Sequence, residues 1–229
     1  MNKKTSFSTS LLICLLYLCF ISLGSNFSSL DGAKVRFVVR ILFFLFLVIF
    51  GYNKKEERGR ASLLYLPFFL LFPFSNYVGL FIRGSLSFYY SNELIFLFFD
   101  CLLTAFVEEK LFRSLFIYND GKDKWKSILL SSLVFALSHI FNGFSAQTLL
   151  QVVYTFGLGV ILGSIYAYGG GFIYSFLLHF MFNFFNGALY NYFKPTKIDT
   201  LYIVSNVIIG AIIVAYYLLI VFIKTRKKE

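Results

Sequence analysis

The chain has 229 residues, of which 59% are hydrophobic and 14% charged, and 32 of them are phenylalanine. A soluble globular domain carries about 25% charged residues, so this composition excludes an ordinary soluble fold and predicts an all-α, polytopic membrane helix bundle. The net charge of +10 requires no nucleic acid as a partner, because membrane topology gathers Lys and Arg on one side and membrane lipids with anionic headgroups attract them.

A membrane-crossing helix takes about 20 mainly apolar residues. Eight such stretches stand between charged or glycine-rich breaks, at 8–24, 35–52, 62–82, 92–112, 126–143, 148–168, 172–193 and 200–223. Together they predict a single transmembrane domain over 1–229 with about eight transmembrane helices. The first stretch also has the form of a secretory signal, with Lys3 and Lys4 before a short apolar core and Ser22 and Gly24 after it. Seven further stretches with no intervening domain to export favour its retention as a span.

Lys54, Lys55, Arg58 and Arg60 crowd one loop, Arg113, Lys122, Lys124 and Lys126 another, and Lys224, Arg226, Lys227 and Lys228 the C-terminus. With eight spans these clusters fall on the side of Lys3 and Lys4, which predicts a multi-pass plasma-membrane protein with both termini cytoplasmic. Pro67 and Pro73 predict a kink in the third stretch. Gly159 and Gly163 in the sixth form a small-xxx-small pair suited to close helix packing, and Gly169 to Gly171 suit a tight reversal. Cys14, Cys19 and Cys101 have neither metal-ligand spacing nor a pairing pattern and read as small buried hydrophobes.

The fourth stretch ends in Glu108, Glu109, Lys110, Leu111, Phe112 and Arg113. A charge well inside a bilayer costs about 3 kcal/mol, so carboxylates there call for a function. Glu109 and Arg113 are four apart, on one helix face, and suit an ion pair. Adjacent residues on a helix point about 100° apart, which leaves Glu108 to face a cavity. The bland alternative is an interfacial cluster whose Lys110 and Arg113 snorkel to headgroups. Asp100, Thr104 and Glu108 repeat every four residues as a polar stripe.

The chain's two histidines, His139 and His179, lie in other apolar stretches, and Asn183 shares a helix face with His179. A glutamate in apolar surroundings titrates nearer neutrality and suits a general base acting on water. A histidine can orient that water or protonate a leaving amine, and a second histidine with an asparagine amide can stabilise an oxyanion. The same residues allow a metal reading, with Glu108, His139 and His179 as a zinc site holding water in the fourth position.

Three motifs occur in order: Glu108-Glu109 with Arg113, Phe135 with His139, and His179 with Asn183. In these the chain resembles the CAAX prenyl protease and bacteriocin-processing group of intramembrane proteases, over roughly 100–191. The resemblance implies an intramembrane endopeptidase of the bacterial branch, acting in bacteriocin self-immunity or peptide-signal processing on a membrane-associated peptide or protein. It implies that Glu108 activates water, Glu109 with Arg113 supports it, His139 assists, and His179 with Asn183 stabilises the oxyanion. It leaves zinc open, since both metallo and metal-free mechanisms are attached to the group. Ser114 departs from the glycine that many members carry after the arginine.

Two other classes compete. A non-catalytic membrane regulator or immunity protein would use the motif residues only to hold its bundle together. A proton-coupled transporter would use the buried Asp, Glu and His as a relay, but inverted repeats and paired broken helices are not evident.

Overall fold

The computed structural model describes residues 7–26, 29–49, 65–74, 77–78, 81, 91, 93–117, 124–142, 146–192 and, within 200–220, positions 200, 204, 207–208, 211–213 and 215–220. Regular structure among the described residues is helical. The α-helices are α1 (Phe7–Ser22), α2 (Ser29–Ile49), α3 (Leu66–Leu71), α4 (Glu93–Glu108), α5 (Lys124–Ser138), α6 (Ala146–Ser164) and α7 (Phe172–Met181). π-Helix continues α4 through Glu109–Ser114, α6 through Ile165–Gly170 and α7 through Phe182–Ala188.

The all-α expectation holds over these residues, but the bundle of about eight membrane spans does not. Among the described residues one helical stretch, Gln151–Tyr168, is long and apolar enough to cross a membrane by length and composition. The multi-pass plasma-membrane localisation with both termini cytoplasmic is corrected with it. Apolar runs in the sequence count residues, whereas a span needs an uninterrupted apolar helix. At 1.5 Å per residue, the 16 residues of α1 reach about 24 Å, against about 30 Å of hydrocarbon; α4 with its π-segment is longer but carries Glu93, Asp100, Glu108, Glu109, Lys110 and Arg113, and α7 with its π-segment ends at Ala188 after 17 residues. The 21-residue α2 is long enough but carries Asp31, Lys34, Arg36 and Arg40. In the third stretch the prolines delimit a helix instead of kinking one. Pro67 occupies the first turn of α3, where no N–H is needed, and the helix ends at Leu71, short of Pro73. The basic clusters at 54–60 and 224–228, with Lys3, Lys4 and Lys122, lie outside the described residues.

The chain divides into two compact units, residues 1–61 with 103–177 and residues 62–102 with 178–229. In the first, a 3-10 turn at Leu23–Asn26 joins α1 to α2, and the backbones pass so closely that a Cβ on Gly32 would collide with the Gly24 carbonyl. Ser10, Cys14, Tyr17 and Leu18 recur at helical spacing as the buried face of α1. There the Cys14 thiol donates to the Leu111 carbonyl at 3.8 Å. The outer face exposes Leu12, Leu15, Leu16 and Phe20.

Helices α5 and α6 pack through the small-xxx-small pair. A Cβ at Gly159 would stand 3.0 Å from Ser132, and one at Gly163 3.1 Å from Ile128. At the end of the second π-segment, Gly170 and Gly171 take φ of 154° and 76°, in the region where L side chains are strained. A Cβ on Gly170 would also strike the Tyr174 ring.

The second unit is held by aromatic packing around the third π-segment. Phe72 stacks on Phe182 at 4.7 Å, and Phe98 meets Phe180 and Phe184 edge-on at 5.1 and 5.3 Å. The Asn186 amide donates to the Phe72 carbonyl at 3.1 Å, giving a partner to a carbonyl at the end of α3. The Tyr77 hydroxyl donates to the Phe185 carbonyl at 2.7 Å.

Candidate active site

The site in the first unit begins where α4 changes pitch. Over Glu109–Ser114 the backbone bonds i to i+5 instead of i to i+4, a local widening often found at functional sites. This segment buries Glu109, Leu111, Phe112, Arg113 and Ser114. A fully buried carboxylate and guanidinium are tolerable only as partners with further hydrogen bonds; the pair is formed, and Nη1 of Arg113 is hydrogen-bonded, whereas its Nε and Nη2 make no hydrogen bond among the described residues. Arg113 Nε stands 3.4 Å from Glu109 Oε2, each side chain 0% exposed. The snorkelling alternative for Arg113 is thereby excluded.

Neighbouring helices complete the pair. Ser175, on α7, donates its hydroxyl to Glu109 Oε2. Arg113 Nη1 donates to Ser131 Oγ on α5 at 2.8 Å, and Ser131 donates in turn to the Phe112 carbonyl at 2.7 Å. Burial lowers the Arg113 pKa, and the carboxylates of Glu109 and then Glu108 oppose that shift. The guanidinium remains the cation of the site.

Phe135 joins the first motif to the second. Its ring centre lies 4.8 Å from the Arg113 guanidinium carbon, a cation–π contact. It also lies 5.0 Å from the His139 ring at an interplanar angle of 86°. His139 opens a 3-10 turn, His139–Asn142, directly after α5. Its Nδ1 is 2.9 Å from the Phe135 carbonyl. A carbonyl only accepts, so Nδ1 carries the proton and a neutral His139 keeps its lone pair on Nε2. The Ser138 hydroxyl shares that carbonyl, donating at 2.6 Å. Phenylalanine four residues before the histidine thus supplies both a ring against Arg113 and a carbonyl that fixes the imidazole.

Glu108 closes α4 and is half-buried, as are Asp100 and Thr104 along the same stripe, whereas its neighbours Val107 and Glu109 are fully buried. Lys110 places its ammonium 4.0 Å over the Phe172 ring. His179 and Asn183 belong to the second unit. His179 is buried near the end of α7, and Asn183 is half-buried in the π-segment that follows.

The zinc reading finds no support in this arrangement. Among the described residues no group of three or more His, Cys, Asp or Glu side chains stands together as a metal would require.

Sequence reasoning missed Ser131 and Ser175. A serine in an apolar helix gives no signal of its own, since it can bond its own backbone, as Ser132 does to the Ile128 carbonyl at 2.7 Å. Ser175 had one available cue, its position four residues before His179. Ser114, where glycine is usual in the resembling group, accepts from the Tyr166 hydroxyl at 3.3 Å.

No curated protein and no solved structure matches the chain. A family model does, over residues 90–185, the stretch that contains Glu108, Glu109, Arg113, Phe135, His139, His179 and Asn183. Its description is Rce1-like, type II CAAX prenyl endopeptidase Rce1-like, and over residues 90–185, less than half of its length, the chain is similar to CAAX proteases of that kind.

Proposed function

We propose that the chain is an endopeptidase that cleaves a membrane-associated peptide or protein, with Glu108 as the general base that activates water. The observation that carries this reading is the division of labour within the doublet. Glu109 is sealed from solvent and committed to Arg113 and Ser175, whereas the adjacent Glu108 stays half-buried, within reach of water. The large apolar side chains exposed on α1 and α2 favour a substrate that itself lies at a lipid surface.

In the proposed reaction Glu108 takes a proton from water, and the hydroxide adds to the scissile carbonyl carbon. Neutral His139, its Nδ1–H held by the Phe135 carbonyl, presents Nε2 as an acceptor that orients the water. The oxyanion is stabilised by donors from His179 and the Asn183 amide, each worth about 3 to 4 kcal/mol by comparison with a measured oxyanion hole. Glu108 returns the proton to the leaving amine as the C–N bond breaks, giving a carboxylic acid and an amine. The Glu109–Arg113 pair anchors the π-segment that begins directly after Glu108, and through Phe135 it bears on His139.

Cleavage in H2(18)O tests the reaction class. The purified chain is incubated with fluorescence-quenched peptides ending in a CAAX-type sequence, with and without a prenylated cysteine, and the products are read by mass spectrometry. One (18)O atom in the new C-terminal carboxylate of a lipidated peptide is expected. Absence of cleavage across both peptide sets, by protein of native helicity, would favour the non-catalytic class.

A further inference from the structure

Away from the motif residues, α1 and α2 enclose an open slot of about 290 Å³ lined by Ile13, Leu16, Phe20, Val39, Leu42 and Phe43, with Phe46 at its far end. A lining this apolar favours an apolar guest over water. The slot follows α2 from Val39 to Phe46, about 10 Å of helix. Its shape suits a hydrocarbon chain better than a compact ring.

One turn beyond Val39, on the same side of α2, stands Arg36. Its aliphatic stem rests at the bare backbones of the turn: a Cβ at Gly24 would stand 2.6 Å from Arg36 Cγ, and one at Gly32 3.3 Å from Arg36 Nη1. The two glycines thus make a cradle that any larger residue would fill. Asp31, the nearby carboxylate of α2, pairs with Lys34 at 3.7 Å, and among the described residues Arg36 has no ion pair. A half-buried guanidinium with no counter-charge among the described residues therefore stands beyond one end of an apolar slot. Around it α1 and α2 expose Leu12, Leu15, Val38 and Leu45, more apolar surface than a single-chain amphiphile would cover.

We propose that this slot is a binding site for an anionic phospholipid, with one acyl chain between α1 and α2 and the headgroup phosphate on Arg36. Arginine suits the phosphate through its fork of N–H donors. Because Cys14, turned away from the slot, is buried and bonds the Leu111 carbonyl of the π-segment, the lipid would sit one helix away from the Glu109–Arg113 pair. The proposal stands whether or not the chain proves to be a peptidase.

The test is native mass spectrometry of the full chain in a neutral detergent, titrated with dioleoylphosphatidylglycerol and, separately, dioleoylphosphatidylcholine. Wild type is expected to prefer phosphatidylglycerol by about five-fold, the effect of one basic residue near an anionic headgroup. Arg36→Gln should abolish that preference without weakening phosphatidylcholine, Arg36→Lys should keep most of it, and Leu42→Trp, which fills the slot from an exposed position, should weaken both lipids. Equal binding of the two lipids by wild type, or an unchanged preference in Arg36→Gln, would overturn the proposal. So would unchanged binding in Leu42→Trp, or a dimer that forms in place of lipid binding and so assigns the slot to a second copy of the chain.

Discussion

At the scale of single residues, the site rests on a buried charge that has been given several partners. Arg113→Met leaves the Glu109 carboxylate sealed without its counter-ion, and denaturant unfolding should show a loss of about 3 to 5 kcal/mol. The double variant Glu109→Met/Arg113→Met should lose much less than the sum of the single changes, because neither charge is then left alone. Ser131→Ala removes the relay between the guanidinium and the Phe112 carbonyl and should cost about 1 to 3 kcal/mol. The Glu109–Arg113 contact was legible from the four-residue spacing alone. The serines were not, because their partners lie 18 and 66 residues away and nothing local marks them. The phenylalanine of the second motif was visible only as part of a pattern, and its contact with Arg113 gives that pattern a physical cause.

At the scale of elements, helix type and close packing decide what each motif can do. Gly157, Gly159 and Gly163 share α6 but not one role. A Cβ at Gly157 would meet nothing within 4 Å, whereas one at Gly159 would press on Ser132 at 3.0 Å. Gly157→Ala should therefore stabilise by up to about 1 kcal/mol through helix propensity, and Gly159→Leu should destabilise by about 1 to 3 kcal/mol through overpacking against α5. Thermal unfolding of the two variants checks the contrast. The small-xxx-small pair and the glycine reversal were readable from sequence because they depend on which residues lack a Cβ. The π-segments were not, since the change from i+4 to i+5 bonding leaves no mark in a run of apolar residues.

At the scale of the whole molecule, the apolar character of the chain was evident but its division into helices was misread. Prolines 67 and 73 bound a six-residue helix where a 21-residue span was expected at 62–82, and charges along α2 remove a second candidate. Whether α1 is packed into the fold can be tested through its two cysteines. Burial pushes the Cys14 thiol up to about 12, so at pH 8 it is protonated and unreactive, while Cys19 is exposed. Iodoacetamide at pH 8 should label Cys19 in the folded protein and reach Cys14 only after unfolding. Labelling of both at equal rates would mean that α1 is not docked on the π-segment.

The central claim is that the two members of the glutamate doublet have different tasks and that Glu108 performs the chemistry. Its most direct test is the kcat of Glu108→Gln for peptide cleavage, measured on protein whose unfolding temperature matches wild type. Loss of the general base predicts a fall of about 100- to 10,000-fold with stability unchanged. A Glu108→Gln variant that folds normally and keeps full activity would contradict the account.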